Sequence, residues 1–156
     1  MTIINLSDGN SVLNQFIAEI RDKDIQKNHM RFRRNLERIG EIFAYEISKT
    51  LSYSIKDITT PLGIAQCSVP CDDIVLATIL RAGLPLHNGL LNYFDKAQNA
   101  FIAAYRKYGK DNKFDIDLEY STSPSIEGKV LILADTMLAT GASVLLAYQK
   151  LLDKGT

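Results

Sequence analysis

The chain has 156 residues, 46% of them hydrophobic and 23% charged, which is enough for a single domain over 1–156 with a sizeable core. Eighteen basic side chains balance eighteen acidic ones, and a net charge of zero argues against nucleic acid or a membrane surface as partner. No apolar run approaches the roughly 20 residues that cross a bilayer, and the N-terminus lacks the basic start and apolar stretch of a secretory signal, so a cytoplasmic location is expected.

Ser11, followed by Val12, Leu13, Phe16, Ile17 and Ile20, predicts a capped amphipathic helix. A polar connecting arm runs from Arg21 to Met30. Leu36, Ile39, Phe43, Ile47 and Leu51 recur at spacings of three and four, which predicts a longer helix. Arg31, Arg33, Arg34 and Arg38 crowd its start. Charge patterning reads them as a solvated or dimer-facing basic surface. The functional alternative is recruitment of a phosphate-bearing effector or RNA.

Tyr53–Ile58 and Ile64–Val69, split by Thr60-Pro61-Leu62-Gly63, predict a hairpin. Near its end lie Cys67 and Cys71. The only histidines, His29 and His87, are isolated in sequence, so a zinc site lacks ligands and no metal site is assigned. Free, mostly buried thiols are expected.

An alternating pattern follows. Ile74–Leu80 is a near-continuous apolar strand, and Pro85–Phe94 a short helix in which His87 is a structural or surface residue. Ala100–Tyr105 is a second strand. Between Arg106 and Lys129 the chain is polar, but Phe114, Ile116, Leu118 and Tyr120 alternate, which predicts a flexible hairpin. Val130–Ala134 is a third strand and Ala142–Leu152 a helix. Strands alternating with helices imply a parallel sheet, with ligands beyond the carboxyl ends of its strands. Arg81, Arg106 and Asp135 each fall at the end of a different strand of this set.

The richest stretch is Val130 to Ser143, where a buried strand delivers Asp135 into a small-residue turn that opens a helix. Helix-opening N–H groups lack intrahelical partners and sit at the positive end of the dipole, so they favour a phosphate. The hydroxyls of Thr140 and Ser143 add donors, and Asp135 can accept from sugar hydroxyls.

This stretch resembles the motif with which phosphoribosyltransferases bind 5-phosphoribosyl-1-diphosphate (PRPP). Its Asp-x-Met-Leu-Ala-Thr-Gly form is similar to that of the uracil phosphoribosyltransferase group. Ile79-Leu80-Arg81-Ala82-Gly83-Leu84 is similar to the family's pyrophosphate loop, and Ala104-Tyr105-Arg106 to the strand end carrying its second arginine. Phe32-Arg33 with Ile39-Gly40-Glu41-Ile42-Phe43-Ala44-Tyr45-Glu46 is similar to its first long helix. The four matches occur in order and cover most of the chain.

The resemblance implies an α/β, phosphoribosyltransferase-type parallel sheet flanked by helices, with N-terminal helices and a β-hairpin. The implied activity is pyrimidine salvage: transfer of phosphoribosyl from PRPP to uracil, giving UMP and diphosphate. Thr140, Gly141, Ala142 and Ser143 would hold the 5-phosphate, Arg81 and Arg106 the diphosphate, and Asp135 the ring hydroxyls. Thr136, Met137, Leu138 and Ala139 complete the PRPP loop. Mg2+ would arrive with PRPP. A GTP effector and a homodimer or higher homo-oligomer are further implied, as are a non-proline cis peptide at or beside Leu80-Arg81 and a mobile loop after Arg106.

Three departures stand out. Thr136 occupies the position where the uracil group has proline, and Ala142 that of a glycine. The third is at Asp153-Lys154-Gly155-Thr156, just past the PRPP helix, where that group continues into a strand and a Gly-rich segment that hold the pyrimidine. The domain is therefore expected to be C-terminally incomplete, with an unpaired position beside Val130–Ala134, no assignable uracil-binding residue, measurable PRPP binding and weak uracil turnover. Two rivals to the enzyme stay open: a non-catalytic, PRPP- or nucleotide-sensing regulator that binds RNA, and an inactive fragment or dimerisation subunit.

Overall fold

A computed structural model describes the backbone at 2–108 and 114–155, and the side chains at 2–103 and 120–155. The chain runs α1 (Val12–Arg21), a single 3-10 turn (Ile25–Lys27), α2 (His29–Ser48), β1 (Tyr53–Thr60), β2 (Gly63–Pro70), β3 (Ile74–Leu80), α3 (Leu84–Leu91), β4 (Gln98–Tyr108), β5 (Phe114–Thr122), β6 (Val130–Ala134) and α4 (Ala142–Leu152).

β1 and β2 pair only with each other, as an antiparallel hairpin. The other strands form a four-stranded sheet in the order β5-β4-β3-β6. β3 lies parallel to both β4 and β6, and β5 is an antiparallel edge. Both faces of β3 are covered. Leu76 packs with Leu13, Ile39, Leu86 and Leu90 from α1, α2 and α3. Val75, Ala77 and Ile79 pack with Ala100, Ile102, Ala147 and Leu151 on the α4 side. A central strand buried on two faces favours apolar side chains on both, which is why β3 is apolar at every position but Thr78 and shows no polar alternation.

β3, β6 and α4 start and stop where their residue patterns predict, and the α/β architecture agrees with the expectation. The polar arm contains the 3-10 turn and yields to α2 at His29, while Leu51 lies beyond the end of that helix. Ser11 occupies the N-cap of α1, but its hydroxyl makes no capping bond. Only its carbonyl engages, accepting from the Asn14 N–H at 3.1 Å.

Two expectations are corrected. Cys67 and Cys71 are free but exposed, not buried. Among the described residues no element packs closely on this two-stranded ribbon, and every residue of β2 but Val69 is exposed. Arg106 does not end its strand: β4 continues to Tyr108, with Arg106 opposite Ile116 in the β4–β5 ladder. The alternating residues after it form β5, and the connection 109–113, with the expected mobile loop, lies outside the described residues. Among the described residues β6 pairs with β3 alone.

His87 is structural. It is 2% exposed, with Nε2 2.8 Å from Asn99 Oδ1 and its ring tilted against Phe101. No helix among the described residues is long and apolar enough to cross a membrane.

Candidate active site

Because β3 and β6 are parallel neighbours, their carboxyl ends open on the same edge of the sheet, with Thr78 opposite Ala134 in the last rung. Two loops leave that edge. The first begins with a cis peptide at Leu80-Arg81, where the family resemblance places it. It closes quickly: the Gly83 N–H donates to the Ile79 carbonyl at 3.1 Å and the Leu84 N–H to the Arg81 carbonyl at 3.3 Å. Arg81 and Ala82 are thereby left exposed while Gly83 is buried.

The second loop begins at Asp135, half-buried, whose Oδ1 accepts from the Thr136 N–H at 2.8 Å. It ends at Gly141, the N-cap of α4, at φ +77°. This left-handed conformation suits glycine and swings the chain into the helix. The Ala142 N–H donates to Thr140 Oγ1 at 3.3 Å, which leaves the hydroxyl hydrogen of Thr140 able to donate outward. The first intrahelical bond runs from the Leu145 N–H to the Gly141 carbonyl at 2.9 Å. The N–H groups of Ser143 and Val144 therefore precede the helical ladder. Asp135 and the run from Met137 to Val144 line a small cavity of about 50 Å³. Met137 and Leu138 are 70% and 78% exposed, so the loop contributes backbone rather than packing.

Of the residues singled out in the sequence, Arg81, Asp135 and the turn from Thr136 to Ser143 share this edge. The side chain of Arg106 lies outside the described residues. The basic cluster sits elsewhere, on α2, and much of its charge is already engaged. Arg31 donates twice to Glu19, at 2.8 and 2.6 Å, and Asn35 Nδ2 donates to the same carboxylate at 2.6 Å. The Arg31 guanidinium, with Asn35, holds the Glu19 carboxyl down at about 2. Arg34 pairs with Glu37, and Arg38 donates to Asn35 Oδ1 at 3.0 Å while lying over the Phe16 ring. Among the described residues no group of three or more His, Cys, Asp or Glu side chains gathers as a metal site.

Sequence reasoning passed over Thr78, which is fully buried and donates from Oγ1 to the Ala134 carbonyl at 3.1 Å. Its signal was legible as the one hydroxyl in an otherwise apolar strand.

The profile of the uracil phosphoribosyltransferases matches residues 8–156. The chain belongs to that family. A uracil phosphoribosyltransferase of Porphyromonas gingivalis is 58% identical over 155 residues, an alignment that takes in 99% of this family member and 72% of that relative. One from Pyrococcus furiosus is 33% identical over 145 residues, covering 91% of this chain and 61% of the relative. Among solved structures, the AQ2163 protein of Aquifex aeolicus superposes with a TM-score of 0.82 at 25% identity, over 94% of this uracil phosphoribosyltransferase-family chain and 68% of that one.

Proposed function

We propose that this chain transfers the phosphoribosyl group of PRPP to uracil, giving UMP and diphosphate in pyrimidine salvage. The observation that carries the reading is the placement of Arg81 and Asp135 at the carboxyl ends of adjacent parallel strands, on one sheet edge. Breaking the anomeric bond leaves positive charge on the sugar ring and expels diphosphate. A site for that step must fix the 5-phosphate, the ring hydroxyls and the leaving group at once.

The turn from Thr140 to Ser143 suits the 5-phosphate, through the N–H groups of Ser143 and Val144 and the hydroxyls of Thr140 and Ser143. Asp135 accepts from the ribose hydroxyls, and the backbone of Thr136, Met137, Leu138 and Ala139 frames them. Arg81 and Arg106 take the diphosphate, since a guanidinium stays charged and can bind two oxygens in one plane. Mg2+ enters as part of the substrate and shields the diphosphate charge.

The RNA-binding regulator has little support. Arg31 and Arg34 are paired with the carboxylates of Glu19 and Glu37, which reduces the free charge that this helix offers a phosphate backbone. A homo-oligomer belongs to the proposal, because an isolated two-stranded hairpin is marginal in water and Tyr53, Ile55, Ile58 and Ile64 are exposed on it. A GTP effector and a cytoplasmic location complete the reading. The test is conversion of labelled uracil to UMP in the presence of PRPP and Mg2+. A folded protein that neither binds PRPP nor forms UMP would overturn it.

A further inference from the structure

We infer that Thr78 is a positioning residue that sets the spacing between the pyrophosphate loop and the Asp135 loop; the inference rests on the proposed PRPP chemistry. Thr78 is 0% exposed in the middle of the sheet. A valine there would have nearly the same shape and an equal fit to a strand, so the fold alone does not call for a hydroxyl. Burying one is unfavourable unless it is bonded. Here it is bonded to the Ala134 carbonyl at 3.1 Å, one residue before Asp135.

The same oxygen also meets the other loop. Gly83 passes so close that a methyl on it would overlap Thr78 Oγ1, lie 2.7 Å from the Ile79 carbonyl oxygen and 3.5 Å from that of Ala134. Thr78, Gly83 and Ala134 thus meet in one contact, with Arg81 two residues from Gly83 and Asp135 next to Ala134. The hydroxyl joins the base of the diphosphate-binding loop to the base of the ribose-binding loop without touching either substrate group. Its effect is on the distance between the two ends of one ligand, so it should register in PRPP binding and not in uracil binding.

The experiment compares wild type, Thr78→Val, Thr78→Ser and Thr78→Ala by calorimetry with Mg-PRPP, by KM for each substrate, and by thermal melting. Thr78→Val should weaken PRPP binding about tenfold, less than the hundredfold that a 1 Å misplacement can cause. The KM for uracil at saturating PRPP should stay unchanged. Thr78→Ser, which keeps the hydroxyl, should bind PRPP within about twofold of wild type, well inside that same scale. If the valine variant fails to fold, the Ser and Ala variants still differ only by the hydroxyl, and Thr78→Ala should be the weaker binder by about tenfold. Wild-type affinity in Thr78→Val or Thr78→Ala, or equal weakening in Thr78→Ser, overturns the inference while leaving the function intact. A folded wild type that binds no PRPP overturns the function and the inference together.

Discussion

Gly40 on α2 and Gly89 on α3 face each other where the two helices cross. A methyl on Gly40 would lie 3.1 Å from the Gly89 Cα and overlap the Leu86 carbonyl, and one on Gly89 would overlap the Glu37 carbonyl. Helix propensity alone favours alanine at such a position by about 1 kcal/mol, but contact with backbone reverses the sign. Gly89→Ala should lower unfolding free energy by about 2–3 kcal/mol, as overpacking does. Urea denaturation monitored by circular dichroism reads it directly, and a stabilised variant would mean that the helices can part freely.

Arg81→Ala should reduce UMP formation on the order of a hundredfold, as loss of one charge-stabilising donor at a reacting centre does. Because Arg81 is exposed, the melting temperature should stay near that of wild type. Steady-state kinetics with PRPP as the varied substrate decides it; unchanged turnover removes Arg81 from the diphosphate site.

Gly141 holds φ +77° with its nearest outside neighbour, Leu138 Cδ1, 3.6 Å from where a methyl would lie. Space is available, so the penalty for Gly141→Ala is conformational, about 1–2 kcal/mol. PRPP affinity should fall about tenfold if the turn abandons that conformation, whereas Gly141→Asn, which tolerates it, should lose less. Crystals grown in sulfate should carry the anion at this turn in wild type. Equal PRPP affinity for Gly141→Ala and wild type would separate the turn from phosphate binding.

The Glu19 carboxyl is held at about 2, against 4.5 when unfolded, by Arg31 first and Asn35 second. The carboxylate is favoured in the folded state, so its contribution is full above pH 4.5 and disappears as pH falls toward 2. Glu19→Gln should therefore destabilise the chain at neutral pH, with the difference from wild type shrinking through that acid window. Urea midpoints measured from pH 7 down to pH 3 give the comparison.

Burial pushes the His87 imidazole below its ordinary 6.5, and its Nδ1 has no hydrogen-bond partner among the described residues. The neutral ring is favoured in the fold, so its stabilising contribution is present above pH 6.5 and declines as the pH drops and the unfolded chain takes up the proton. His87→Phe removes this titration. The fall in urea midpoint from pH 7.5 to pH 5.5 should be smaller in that variant than in wild type.

Local patterns carried much of this chain. β3 was legible because a strand covered on both faces is almost wholly apolar, β6 as an unbroken run of five apolar residues, and α4 because its apolar spacing follows a glycine that opens it. The turn proposed to hold the phosphate was legible for a related reason: Thr140, Gly141 and Ser143 offer their own backbone and hydroxyls within a few residues of one another. What escaped was whatever depends on residues far apart in sequence. Glu19 and Arg31 meet only because α1 packs on α2, which gives one arginine of the basic surface a carboxylate partner twelve residues away. Cys67 and Cys71 looked like core residues, yet both are exposed on and just beyond the hairpin. Thr78 read as one more residue of an apolar strand until parallel pairing with β6 and the return of Gly83 gave its hydroxyl a place. Sequence alone determined which segments form strands and helices and which turn opens a helix with unpaired N–H groups, since those follow from periodicity and local backbone chemistry. The tertiary structure decided which loops share an edge and which charges remain free, because contacts between distant segments exist only once the layers pack.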